Sequence, residues 1–372
     1  MRGIPFLALA VLLCASAEED KPKVLSLPEG CGDASAPALA SAPDGRAWLA
    51  YATPAGEVFA CSWKPGEAAF SKPVRLAYTP SPMTGMHRGP RIAAWDKGLA
   101  VTWIGGGNLV CVRSAEGKIW KDPVRVNAED GACAEGLHAM AATSDGQVWC
   151  CWQGPKSILM AARSKDGGAT FGDAVAVQKN PVCSCCHPSL AAGPGGALSV
   201  MFRNDVRKKV EGKPMEECRD LYAADLDPKK GLFGEPRKLG KGTWKLASCP
   251  MDGGACALAK GLVTVWRRDR MILATAPGAE ADEKPLAPGK DPAVAALASG
   301  ATLAVWTDKD ALLMLRLDPQ SGDPVRVADP AKGTKQALPA LTALPGGFLV
   351  AWEETPAEGG TTVKARWIPA SP

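Results

Sequence analysis

Three cysteines and a histidine fall within five consecutive positions, Cys183-Ser-Cys185-Cys186-His187, of a chain rich in Ala, Gly and Pro. Thiolates beside an imidazole support three kinds of chemistry. They ligate Zn(II) or Cu(I), because soft sulfur selects those ions and mixed S/N sets suit either. They tie mobile loops together as disulfides, which restricts the unfolded chain. Cys183, Cys186 and His187 also satisfy Cys-x-x-Cys-His, the c-type haem attachment pattern. Two features weigh against metal and haem. Cys-x-Cys-Cys-His is not a standard zinc spacing, and Pro188 leads towards a strand where the haem motif opens a helix. Adjacent Cys185 and Cys186 pair with each other only under strain, so each needs another partner, with Cys133, Cys218 and Cys249 as candidates.

Whether these groups meet others depends on the elements that carry them. A Gly-turn followed by an alternating strand that ends in an aromatic recurs seven times: DGRAWLAY, KGLAVTW, DGQVWCCW, GGALSVMF, KGLVTVW, SGATLAVW and GGFLVAW. The closing aromatics are Tyr51, Trp103, Trp152, Phe202, Trp266, Trp306 and Trp352. A small-residue strand precedes each, and two further strands follow. Period-two strands at this spacing, punctuated by Gly and Pro, predict an all-β chain: a single β-propeller of four-stranded blades. Seven blades are expected, with six the alternative because residues 262–290 are weakly patterned. KPKVLSL (21–27) matches the fourth-strand pattern and is expected to complete the last blade, removing a free edge.

In such a ring the segments leading into the innermost strands open on one face. Cys31, Cys133, Cys183, Cys185, Cys186 and Cys249 lie there, and Cys218 sits in a long loop insertion of blade four at about 203–220. The three histidines of the chain, His87, His138 and His187, also precede innermost strands. The expected metal set on this rim is His87, His138, His187, Cys183, Cys185, Cys186, Cys249 and Met251, with Met83 and Met86 nearby. Segment 243–254 adds Trp244 and Asp252. Cys150, Cys151, Cys61 and Cys111 fall within strands and read as small buried hydrophobes or inter-blade bridges.

Residues 164–171, SKDGGATF, place Ser164, Asp166, Gly168, Thr170 and Phe171 in the pattern Ser-x-Asp-x-Gly-x-Thr-aromatic. This resembles the Asp-box, or BNR repeat, of sialidase-like propellers, with degenerate copies at 114–120 and 62–70. The five residues are expected to be structural: side-chain oxygens bond the turn backbone, and the aromatic staples it to the core. What the resemblance implies for catalysis is an arginine trio on a sugar carboxylate, a Tyr nucleophile with a Glu, and an Asp acid/base. Arg91, Arg203, Arg219, Arg267 and Asp220 are weak candidates for these roles. Of three tyrosines, Tyr51 occupies a blade-aromatic position, Tyr222 a third strand, and Tyr78 a loop.

Residues 1–17 read as a signal peptide: Arg2, an apolar run from Ile4 to Leu13, and Ala15-Ser16-Ala17. The domain expected after it is 18–372, periplasmic or secreted, with a lipoprotein through Cys14 as a minor alternative. Net charge of +4 gives no nucleic-acid footprint, and no run is long enough to span a bilayer. The expected work is binding of a small molecule, glycan, protein or metal ion at the rim by a monomer. An exo-α-sialidase and a disulfide-stiffened interaction scaffold are the alternatives.

Overall fold

A computed structural model describes residues 23–28, 31–79, 84–208, 215–317 and 322–370. The expected signal segment, Cys14 and Met83 lie outside these residues. Each sequence repeat forms an antiparallel blade of four strands, seven among the described residues, and blade four adds a fifth short strand, Leu232–Phe233. The innermost strands are Ser35–Ser41, Arg91–Trp95, His138–Ala142, Ser189–Ala192, Gly254–Leu258, Lys290–Ala296 and Lys335–Leu344. Each packs beside the next, and the last beside the first, so the ring closes. Val24–Ser26 supplies the outer strand of blade seven, with Leu25 opposite Ala365. Among the described residues no helix is long and apolar enough to cross a membrane.

Residues 262–290 form a complete blade, Leu262–Arg268, Met271–Thr275 and Lys284–Pro288 outside Gly254–Leu258. Leu262, Trp266 and Leu273 pack towards blade four, while Val263, Val265 and Ile272 pack towards blade six, so this sheet is buried on both faces like the others of the ring.

The closing aromatics end the second strands and are buried between blades. Trp306 packs against Val263 and Val265 of blade five, and Trp352 against Leu303 and Val305 of blade six. Each large ring thus fills the wedge left where neighbouring twisted sheets splay.

Turn 164–171 takes the hydrogen-bond pattern its residue types dictate. Ser164 Oγ accepts the Gly168 N–H at 2.7 Å, and Asp166 Oδ1 accepts those of Ala169 and Thr170 at 3.1 and 2.9 Å. Gly168 has φ 86° and a Cβ there would lie 3.1 Å from Cys111 Sγ of blade two, so glycine serves both conformation and packing. Ser114 repeats the device, accepting the Gly117 N–H at 2.8 Å. The blade-four insertion begins and ends as a hairpin, Val206–Lys208 with Glu216–Cys218.

Candidate functional site

The seven innermost strands line an axial channel of about 230 Å³, with alanines such as Ala38, Ala139 and Ala293 in its wall. Which side chains reach its mouth depends on how each strand begins. In five blades a residue–Pro pair stands there: Ala36-Pro37, Gly89-Pro90, His187-Pro188, Asp291-Pro292 and Leu338-Pro339. Pro cannot donate to the ladder, and blades one, six and seven shift register across it. The residue before Pro turns left-handed at Ala36 (φ 53°), Asp291 (53°) and Leu338 (49°). Asp tolerates that region better than Ala or Leu, and Asp291 is the acid among these five positions.

Asp291 Oδ1 lies 2.8 Å from His87 Nε2. The Asp291 N–H donates to Asp252 Oδ2 at 3.1 Å, and Arg267 Nη1 is 3.9 Å from that same oxygen. Asp252 is 1% exposed, yet its Oδ1 is buried without a hydrogen-bond partner. Donor atoms of His87, Asp252 and Asp291 all lie within 4.8 Å of one another. Burial, then the charge of Asp291, pushes the Asp252 carboxyl up. Burial also opposes charge on Asp291, but the His87 hydrogen bond together with the charges of His87, Lys290 and Arg267 holds that carboxyl low. Two carboxylates this close share charge poorly without a cation between them.

Sequence reasoning brought the histidines to one rim, and two of them meet. The rings of His87 and His187 stack with centroids 4.1 Å apart. Burial, then His87, Arg91 and Arg203, keeps the His187 pKa well below its ordinary value. Its Nδ1 is buried and unpartnered. His138 instead pairs its Nε2 with Thr102 Oγ1 at 3.0 Å, and burial keeps it neutral. Glu353 approaches from blade seven, its Oε1 accepting the Ala36 N–H at 2.6 Å, and burial pushes its carboxyl up.

The sulfurs take a different arrangement. Cys185 is bonded to Cys249 across a separation of 64 residues. The partner realised is thus Cys249, and both sulfurs leave the expected ligand set in this state. Cys183 Sγ lies 3.5 Å and Cys186 Sγ 3.9 Å from Cys185 Sγ. A hydrogen bond from Cys186, aided by Arg203 and Arg219, lowers the Cys183 thiol to about 7, while burial drives Cys186 up. Both thiols are buried in a turn that runs into a strand, without the helix that the haem motif usually opens. Met251 is 40% and Met86 50% exposed. Cys150 and Cys151 remain thiols because consecutive strand residues point to opposite faces; Cys61 and Cys111 are likewise buried thiols, not bridges.

The candidate arginines are engaged within the protein. Arg203, 1% exposed, donates to the carbonyls of Arg219, Asp252, Gly253 and Arg267. Arg219 pairs with Asp205 and Glu217, and Arg91 donates to the carbonyls of Pro90 and His87. Arg267 donates to the Asp269 carbonyl and lies over the Trp244 ring. Asp220 holds Lys238 at 2.9 Å and the Trp244 N–H at 2.8 Å. Tyr78 is exposed at the end of a fourth strand, and Tyr51 is buried. Sequence reasoning passed over Asp291 and Glu353. The available signal for Asp291 was an acid immediately before the Pro that opens an innermost strand.

No protein-family model matches the chain, and no curated protein matches it in sequence. Solved structures do. Virginiamycin B lyase from Staphylococcus aureus, as an inactive variant with quinupristin, is 13% identical at TM-score 0.55, covering 93% of this chain and 99% of its own. A polysaccharide lyase, an ulvan lyase bound to a sulfated disaccharide unit, is 11% identical at TM-score 0.55, covering 89% and 93%. An α-L-arabinanase of Penicillium chrysogenum is 12% identical at TM-score 0.51, covering 94% and 99%. These likenesses establish a shared propeller fold along nearly the whole described chain.

Proposed function

We propose that this chain is an exported, sialidase-like propeller that binds one divalent cation, Zn(II), at the channel mouth and through it an oxygen-rich ligand of glycan type. His87 Nε2 and the carboxylates of Asp252 and Asp291 are the ligands. The observation that carries the reading is the convergence of these three donors around a buried, unpartnered Asp252 oxygen. One imidazole and two carboxylates suit zinc and leave coordination positions for ligand oxygens. A cation also relieves the repulsion between the two acids. Support for a glycan comes from two proteins of the same fold, a polysaccharide lyase and an α-L-arabinanase complexed with arabinobiose. Support for export comes from the disulfide and the expected signal segment, and support for the sialidase-like group from the hydrogen-bonded turn at 164–171. A sialidase reaction has less support, because the arginines that would clamp a carboxylate are engaged internally.

The test is zinc titration of metal-stripped protein by calorimetry at neutral pH. The reading expects one ion per chain, with affinity at least tenfold weaker in Asp291→Ala and Asp252→Asn. Absence of stoichiometric uptake by wild type would refute it and leave His87–Asp291 as a hydrogen-bonded latch.

A further inference from the structure

The four sulfurs beside the channel are graded by exposure. Cys249 is exposed, Cys185 is half-buried, and Cys183 and Cys186 are 3% and 2% exposed. The Cys185–Cys249 bond therefore stands between solvent and two thiols. Cys183 Sγ lies 3.5 Å from Cys185 Sγ, which is van der Waals contact between sulfurs, and Cys186 Sγ is 3.9 Å away. A purely structural staple has no need of reduced thiols against its inner sulfur. Elsewhere adjacent cysteines are kept apart, since Cys150 and Cys151 point to opposite faces of one strand.

From this juxtaposition we infer that Cys183, Cys185, Cys186 and Cys249 form a thiol–disulfide exchange centre whose outlet to small thiols and disulfides is Cys249. The thiolate of Cys183 attacks Cys185 Sγ. A Cys183–Cys185 bond forms, the Cys185–Cys249 bond breaks, and the electron pair leaves on Cys249 Sγ. That thiolate takes up the proton that Cys183 gave up. The number of disulfides is unchanged, so the step needs no oxidant or reductant. It converts a bridge between two loops into one within a single loop and presents a thiol at the surface. A small disulfide of glutathione type then exchanges with Cys249, giving a mixed disulfide and one molecule of free thiol. Cys183 is the suited nucleophile, because the hydrogen bond from Cys186 favours its thiolate. The inference is independent of the proposed zinc site.

The experiment labels native, metal-stripped protein with N-ethylmaleimide without reductant, followed by non-reducing peptide mapping. Cleavage after Lys179 and Arg203 places Cys183, Cys185 and Cys186 in one peptide, separate from Cys249. The expected result is time-dependent labelling of Cys249 together with loss of the inter-peptide link and appearance of an internal Cys183–Cys185 bond. Cys183→Ser slows Cys249 labelling at least tenfold, while Cys186→Ser still labels. Labelling of Cys249 at the wild-type rate in Cys183→Ser, or no labelling in wild type, overturns the inference. If Cys183→Ser does not fold, the wild-type map decides alone: the internal Cys183–Cys185 bond either accompanies Cys249 labelling or it does not.

Discussion

Replacing Arg203 with Met separates a structural guanidinium from a ligand clamp. Arg203 Nε donates to the Asp252 carbonyl at 3.1 Å, Nη1 to that of Arg219 at 2.7 Å, and Nη2 to those of Gly253 and Arg267 at 3.2 and 3.0 Å. The fork also stacks on Trp244, 5.1 Å from its centroid. A hydrogen bond from a charged donor contributes about 1.5–3 kcal/mol. Four would sum to more than a single substitution removes, because the loops relax and the charge itself is costly to bury. Breaking a buried network of this kind costs about 4 kcal/mol. Unfolding a domain of about 350 residues carries an entropy of roughly 0.7 kcal/mol/K, so Tm falls by about 6 °C. Arg203→Lys keeps the charge but cannot span carbonyls on separate segments, and recovers less than half of that. Differential scanning calorimetry of the three proteins reads the result directly. An unchanged Tm in Arg203→Met, or full rescue by Lys, would refute the argument and return Arg203 to the role of anion clamp.

Three other outcomes follow from the geometry. Although burial opposes ionisation, hydrogen bonds from Thr170 and Ser164 hold Asp166 down at about 2; its contribution is therefore present above the unfolded carboxylate range and lost as pH falls through about 2. The stability gap between wild type and Asp166→Asn should close between pH 5 and 2, as read from urea midpoints across that window. Gly253→Ala places a Cβ 2.3 Å from the His187 carbonyl oxygen and 2.6 Å from its Nδ1. About 1–3 kcal/mol of destabilisation is expected, measured by thermal melts; if the proposed zinc site is real, metal titration should also show weaker uptake. Trp306→Ala removes a fully buried wedge between blades five and six. It should cost about 3–5 kcal/mol, seen as a Tm lower by about 4–7 °C in circular dichroism.

These predictions also show why some features were legible in the sequence. The propeller was, because every blade needs a Gly turn, a period-two strand and a wedge-filling aromatic, and those constraints are local and repeated. Closure was legible too, since Val24–Ser26 carries the same short pattern as the other outer strands. Blade five was the least legible, although its two faces pack on blades four and six as those of the other blades do on their neighbours. The turn at 164–171 was readable to the individual hydrogen bond, since residues no more than four positions apart make it.

The site was less legible. Sequence alone suggested that the three histidines and most loop cysteines lie at the entries of innermost strands, where His138 in fact opens one, and that a ring brings such segments together. It did not determine which of them meet. His87 reaches Asp291 across 204 residues and stacks on His187 across 100, while His138 is taken by Thr102. Choosing Cys249 for Cys185, and engaging Arg203 with the carbonyls of Asp252, Gly253 and Arg267, likewise needed the distances between segments from different blades. Those distances depend on blade twist and strand bulges, which sum over the whole ring. A local pattern can specify each blade, but the depth at which each side chain enters the channel is fixed only when the ring closes.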